Sequence, residues 1–288
     1  MSELVAFILT HGRPKNVKTY KSLEKAGFTG RVYIVIDNED STAKEYKELY
    51  GDKVIMFDKL AISRTFDTAD NFSDRRSIVY ARNACFQIAK QMGIRYFIQL
   101  DDDYKQFVYK FDENLEYKER PIHNLNKILG YMLDYYKSIP AATIALAQNG
   151  DFIGGGKSGF AKTITPKRKA MNSFICDTER EFQFLGRVNE DVNTYTYLGS
   201  KGHLFLTIPP VSLIQMQTQQ NKGGMTELYL SSGTYLKSFY TVMFCPSAVK
   251  ISEMGDKNLR LHHKIIWDSC VPKILRQEKR DAEQSWTH

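Results

Sequence analysis

Four apolar runs, LVAFILT (4–10), RVYIVID (31–37), KVIMFDK (53–59) and RYFIQLDDD (95–103), alternate with stretches of helical periodicity. Nothing else in the 288 residues constrains the fold as tightly. A continuous apolar run without alternation reads as a strand buried on both faces, and such strands lie in sheets covered by helices on each side. NVKTYKSLEKAGF places Val17, Tyr20 and Leu23 at helical spacing, with Gly27 as a stop. STAKEYKELYG is a second helix, opened by Ser41 and closed by Gly51. A long third helix is predicted from Ser73 to Gly93, with Ile78, Ala81, Cys85, Ile88 and Met92 as its core stripe. Strand–helix alternation of this kind predicts an open α/β sheet whose ligands gather at the carboxyl ends of the strands.

The second half is less regular. IHNLNKILGYMLDYYKS (122–138) carries a helical stripe of Leu125, Ile128, Leu129, Met132 and Tyr136, and ATIALAQ (142–148) reads as a strand. NGDFIGGGKSGF is a glycine-rich loop, NEDVNTYTYLGSKG (189–202) a short helix, and HLFLTIPPVSLIQM a pair of strands around a Pro-Pro break. No repeat or linker interrupts the chain, so a single domain over 1–288 is expected. Its sub-regions are a nucleotide-binding half (about 1–110), an acceptor-side half (about 111–270) and a basic tail (271–288).

No run approaches the roughly 18 apolar residues of a membrane span. The N-terminus MSELVAFILTHGRP lacks the basic region and cleavage site of a signal peptide. Cys85, Cys176, Cys245 and Cys270 are scattered without metal-site spacing, which suits free thiols in a reducing cytoplasm. The net charge of +7 is concentrated in KTITPKRKAM (162–171) and PKILRQEKR (272–280). Charge of this size serves solubility or attracts a polyanion.

YFIQLDDDY (96–104) sets three aspartates directly behind a buried strand. Adjacent carboxylates repel and gain nothing from burial, so they form either a solvated turn or a seat for something positive. Hard oxygen ligands at a sheet's carboxyl edge suit magnesium or manganese shared with substrate phosphates. Asp37, ending the second strand, can accept hydrogen bonds from a ribose or base, although Asp37-Asn38 is also good turn chemistry. Arg82 in YARNA does not fit the core stripe; its guanidinium suits a diphosphate or a surface ion pair. Glu190-Asp191 opens a short helix, where acidic residues are favoured in any case. GGGKS (154–158) is not a phosphate-binding P-loop, because Asp151 stands where that pattern needs glycine and no apolar helix follows.

In order and spacing, TxGRP in the first strand, Asp37, ARN, the DxD-type cluster and the later ED resemble GT-A-fold glycosyltransferases over about residues 4–263. That resemblance implies a Rossmann-like, mostly parallel sheet flanked by helices, with a smaller acceptor-side region. FILTHGRPKN, IQLDDDY and LRLHHKIIW make the chain most similar to the TET-associated glycosyltransferases of bacteriophages, relatives of the base J glucosyltransferases. The implied activity is sugar transfer from a nucleotide-sugar to a 5-hydroxymethylpyrimidine in DNA, in the host cytoplasm. The strand-one loop, Thr10, Gly12 and Arg13, would hold the nucleotide with Asp37, and Arg82 would lie near the diphosphate. Asp101 would approach the ribose and Asp103 would bind Mn2+ or Mg2+, with Asp102 open because a triple aspartate permits a register shift. His262 or His263 would complete the metal site. Asp191 would be the base of an inverting displacement, with Glu190 sharing the role or binding acceptor. Lys222 in QQNKGGM would close over the phosphates or sit in a plain turn. UDP-glucose is the default donor because it is common. DNA contacts would fall to the segments Lys162–Lys169 and Lys273–Arg280, with Phe152, Phe160 and Tyr195 stacking on an extruded base. The alternatives are a glycan or lipid-linked acceptor, a nucleotidyltransferase, or a DNA-binding module without catalysis.

Overall fold

A computed structural model describes residues 3–152, 154–159, 161, 163–170, 172–215, 233, 235–254 and 260–284. The first half follows the alternation: β1 (Leu4–Leu9), α1 (Lys18–Lys25), β2 (Val32–Asp37), α2 (Ala43–Tyr50), β3 (Val54–Phe57), α3 (Lys59–Ser63), α4 (Val79–Gln91) and β4 (Tyr96–Asp101). Then come β5 (Tyr104–Phe111), β6 (Tyr117–Pro121), α5 (Leu125–Lys137), β7 (Thr143–Gln148), β8 (Ser173–Asp177), α6 (Glu190–Ser200) and β9 (Phe205–Gln215). The chain continues through α7 (Leu236–Phe244), β10 (Val249–Met254), β11 (Arg260–Ile265), α8 (Trp267–Cys270) and α9 (Gln277–Gln284).

Nine strands form one sheet in the order β3-β2-β1-β4-β8-β7-β9-β5-β6, and β10 pairs with β11 in a separate antiparallel ribbon. Within the large sheet only β8 and β5 run against the other strands. Both halves of the sequence therefore share one sheet. Every residue of β1 is buried, as its unbroken apolar run requires. Leu4, Ala6 and Ile8 face a core layer with α1, α2 and α5, while Val5, Phe7 and Leu9 face a layer with α4 and α6. Register between β1 and β4 places Leu9 beside Asp101, so the strand-one loop and the aspartates leave the sheet at the same point.

Two expectations change. The third helix begins at Val79 instead of Ser73. In FDTADNFSDRR the carboxylates of Asp67, Asp70 and Asp74 each accept the backbone N–H two residues on, at 2.7, 3.1 and 2.9 Å, and these Asx turns displace helical hydrogen bonds. Met92, placed on the core stripe by spacing, lies beyond the helix and is 36% exposed. The Pro-Pro break does not divide two strands either. β9 runs through it, and the register against β7 jumps from Leu146–Ile208 to Ala147–Ser212, so the two prolines fall in an irregularity where no ladder N–H is needed.

Candidate active site

At the carboxyl edge of β4 the three aspartates diverge. Asp101 turns to Arg82, whose Nη2 donates to Oδ1 at 2.9 Å; Arg82 Nε donates to Glu190 Oε1 at 3.0 Å. Arg82 is only 1% exposed and lies 5.2 and 5.7 Å from the Phe174 and Phe184 ring centroids. It is thus a buried cation clamped by two carboxylates, which sequence spacing had excluded from the core. Its Nη1 has no hydrogen-bond partner. Burial, opposed by Arg82 and reinforced by Asp103, Glu190 and Asp102, pushes Asp101 up to about 7. Burial and then Asp191 raise Glu190, again against Arg82.

Asp102 is buried beneath the strand-one loop. Its Oδ2 accepts from Thr10 Oγ1 at 2.5 Å and pairs with Arg13 Nε at 3.1 Å. Thr10 Oγ1 also meets Tyr46 Oη at 2.7 Å, and the Arg13 N–H donates to the same hydroxyl at 2.9 Å. The loop is pinned once more at Gly12, whose N–H donates to Asp40 Oδ2 at 2.7 Å; its φ of 71° lies in the region glycine tolerates. Asp37 is a buried junction: Oδ2 is 2.8 Å from His11 Nδ1 and accepts from Lys59 Nζ at 3.2 Å. Burial opposes its charge, but the bond to His11 and the Lys59 charge hold its carboxyl below the ordinary value. His11 lies within the strand-one loop, Thr10 to Arg13, whereas the sequence does not single out Asp40, Tyr46 or Lys59. The only local signal was the acidic N-E-D following β2.

Thr10, His11, Asp37, Lys59 and Glu190 line a cavity of about 200 Å³ at the carboxyl edge together with Arg187, while Arg82, Asp101 and Asp102 lie outside its lining. A larger hollow, about 350 Å³, lies near the opposite edge beside Tyr20, Phe28 and Lys53, away from the carboxylates. Asp191 is buried next to Glu190, with its Oδ1 accepting the Val192 N–H at 2.8 Å.

Asp103 suits a hard divalent cation. Its Oδ1 is buried without a hydrogen-bond partner. Burial pushes its pKa up, against a hydrogen bond from Gln215 and the Arg13 and Lys18 charges. His263 is also buried with both ring nitrogens unpartnered, stacked on the His262 ring at 4.2 Å. Burial, together with Lys169, His262 and Lys237, pushes it down to about 3, so the ring is neutral and able to ligate. Among the described residues, however, no three His, Cys, Asp or Glu side chains gather to hold an ion, so Asp103 and the histidine pair do not form a complete cage. Magnesium and manganese sites that use one or two carboxylates with substrate phosphates do not need one.

Other expected residues fall away from the cavity. Tyr195 is buried and stacked on Trp267 at 5.8 Å, and Phe152 packs against Phe111 and Tyr117; neither ring is open to an extruded base. Lys222, Phe160 and Lys162 lie outside the described residues. In the basic segments, Lys167 and Lys273 share Asp268, Arg168 is buried on Asp151, and Arg276 pairs with Glu278. The tail is not loose: 277–284 is helical and the Arg276 N–H donates to the Gly202 carbonyl. Among the described residues no helix is long and apolar enough to cross a membrane.

A mostly parallel sheet in the order 3-2-1-4, with a cleft and clustered carboxylates at its switch point, defines an open α/β fold with its candidate site where such folds bind ligands. The sequence model described as TET-Associated Glycosyltransferase matches residues 5–224, well over half of the chain, which therefore belongs to that glycosyltransferase family. Among solved structures, glucosyl-3-phosphoglycerate synthase from Mycobacterium tuberculosis, in complex with Mn2+, uridine diphosphate and phosphoglyceric acid, aligns over 91% of this chain and 87% of its own. Its TM-score is 0.44 and its identity 7%, so the fold assignment stands on the strand order and not on this likeness. No curated protein matches the sequence.

Proposed function

We propose that the enzyme transfers a sugar from a nucleotide-sugar, UDP-glucose by default, to the hydroxyl of a 5-hydroxymethylpyrimidine in DNA, with inversion. The observation that carries this reading is the convergence of Thr10 and Arg13 of the strand-one loop, Asp37 and Glu190, the last bonded to Arg82, on one cavity, in a chain of a glycosyltransferase family. Thr10, Gly12 and Arg13, braced by Asp102, Tyr46 and Asp40, form the nucleotide edge, and Asp37 receives the ribose or base. Asp103, with His262 or His263, would hold Mn2+ or Mg2+, which neutralises charge on the diphosphate leaving group. Asp191 takes the proton of the acceptor hydroxyl as that oxygen attacks the anomeric carbon and the bond to the diphosphate breaks. A single displacement with one base inverts the anomeric centre. Glu190 holds Arg82 at the site, and Lys222 would close over the phosphates.

Support for DNA as acceptor comes from the family description and from surface charge. Lys167, Arg168, Lys273 and Arg276 of the basic segments are paired with carboxylates, but Lys250 and Lys264 stand directly opposite each other on the exposed face of the β10–β11 ribbon. Like charges in that position repel, and a phosphate backbone relieves the repulsion. The test is donor turnover by wild type, Asp103→Ala and Asp191→Asn in manganese or magnesium. The proposal expects cation-dependent turnover by wild type and loss of about 100-fold or more in each variant. Full activity of Asp103→Ala would place the cation elsewhere, and native activity of Asp191→Asn would remove it as the base.

A further inference from the structure

The cavity contains a cation that the sequence did not single out. Arg187 is 2% exposed and lines the cavity beside Glu190. Its Nε donates to Asp70 Oδ2 at 2.9 Å, and the same carboxylate accepts from the Tyr240 hydroxyl on α7. Nη1 lies 3.7 Å from Asp74 Oδ2, outside hydrogen-bond reach, and has no hydrogen-bond partner. Asp74 cannot easily turn toward it, because Arg76 Nε and Nη2 already hold both its oxygens at 3.0 and 2.8 Å. The backbone is fixed as well: the Arg187 N–H donates to the Thr68 carbonyl at 2.9 Å, and Ser77 Oγ donates to the Arg187 carbonyl at 2.6 Å. One side of this guanidinium is therefore immobilised, while the buried Nη1, on a residue that lines the cavity, has no acceptor.

A buried guanidinium N–H is rarely left without an acceptor. Here the carboxylates on the cavity wall are already committed, Asp37 to His11 and Lys59, and Glu190 to Arg82. Arg82 Nη1 next to Glu190 is a second buried guanidinium nitrogen without a partner. An anion with several acceptor oxygens would satisfy such donors. We propose that Arg187 is the residue that recognises the donor's phosphates, its Nη1 donating to a phosphoryl oxygen of a nucleoside diphosphate, and that Asp70 and Tyr240 are positioning residues fixing the guanidinium. This inference rests on the donor-site reading above.

The test is calorimetric titration of wild type, Arg187→Gln, Arg187→Lys and Tyr240→Phe with inorganic pyrophosphate, a panel of nucleoside diphosphates including UDP, and uridine, in excess magnesium. Arg187→Gln should weaken pyrophosphate and diphosphate binding about tenfold or more, the scale of one charge-assisted hydrogen bond, and leave uridine unchanged. Arg187→Lys keeps the charge without the fork and should fall between. Tyr240→Phe should raise the donor KM several-fold with kcat within about twofold, as expected for uniform binding. If Arg187→Gln does not fold, Arg187→Lys and Tyr240→Phe, checked by circular dichroism, decide. A folded Arg187 variant that binds pyrophosphate within about twofold of wild type overturns the inference alone. So does an equal loss for uridine and UDP, which would assign Arg187 to pocket shape. Wild-type protein that binds neither pyrophosphate nor any nucleoside diphosphate overturns the donor-site reading, and the inference with it.

Discussion

Arg82→Met tests whether the buried cation at the end of β4 organises the site. The guanidinium is 1% exposed and holds Asp101 and Glu190 at 2.9 and 3.0 Å, so solvent cannot replace it. Methionine fills much of the volume between Phe174 and Phe184 but leaves two carboxylates without a counter-charge. Breaking a buried pair costs about 3–5 kcal/mol. Both carboxylates can take up protons once the guanidinium is gone, which keeps the loss near 3 kcal/mol, about 6–12 °C in Tm for a chain of this size. The double variant Arg82→Met/Glu190→Leu removes one of the two stranded carboxylates and should regain about 1 kcal/mol of that loss. The assay is urea unfolding followed by far-ultraviolet circular dichroism, with the m-value compared to confirm that only stability has changed. A single variant within about 1 kcal/mol of wild type, or a double variant weaker than the single, would refute the reasoning.

Three further outcomes follow from local geometry. Gly186→Ala should cost about 2 kcal/mol or more, because φ is +81° and a Cβ would meet Asn193 Nδ2 at 2.4 Å and Phe244 Cε2 at 2.7 Å; thermal unfolding checks it. Tyr195→Phe should change stability by less than about 1 kcal/mol, since its buried hydroxyl has no partner to lose and the ring stack on Trp267 is kept; urea titration measures this. Asp37 has its folded pKa below the unfolded one, so the unfolded chain binds more protons through that window and stability rises with pH. The stability advantage of wild type over Asp37→Asn should therefore be full at neutral pH and fade from about pH 4 downward, read by unfolding at a series of pH values.

The sequence shows the sheet's first half because each of its strands is buried on both faces and so has no alternation to obscure it. β8 is just as buried, but five residues between irregular segments carry too little pattern to be recognised. The start of α4 is hidden because helical spacing continues into a segment whose aspartates cap their own backbone. At the site, Thr10, Asp37 and Asp101 to Asp103 lie at one edge, since parallel register aligns their strand ends, and Arg82 of α4 and Glu190 of α6 join them through hydrogen bonds to Asp101 and to each other. Their assignments were less legible. Whether Asp102 faces the ligand or braces the loop depends on Thr10 and Arg13, some 90 positions away, and Arg187 gains its meaning only from Asp70 and Tyr240. Tyr195 and Phe152 read as stacking surfaces by residue type alone, and residue type does not report burial.

The most direct test of the account is nucleoside mass spectrometry of 5-hydroxymethylcytosine DNA after incubation with the protein, manganese or magnesium, and a panel of nucleotide-sugars. The account predicts that one donor adds a hexose or pentose mass to the modified nucleoside, dependent on the cation and absent with unmodified cytosine. No added sugar with any donor, from protein that binds and turns over a nucleotide-sugar, would contradict DNA as the acceptor.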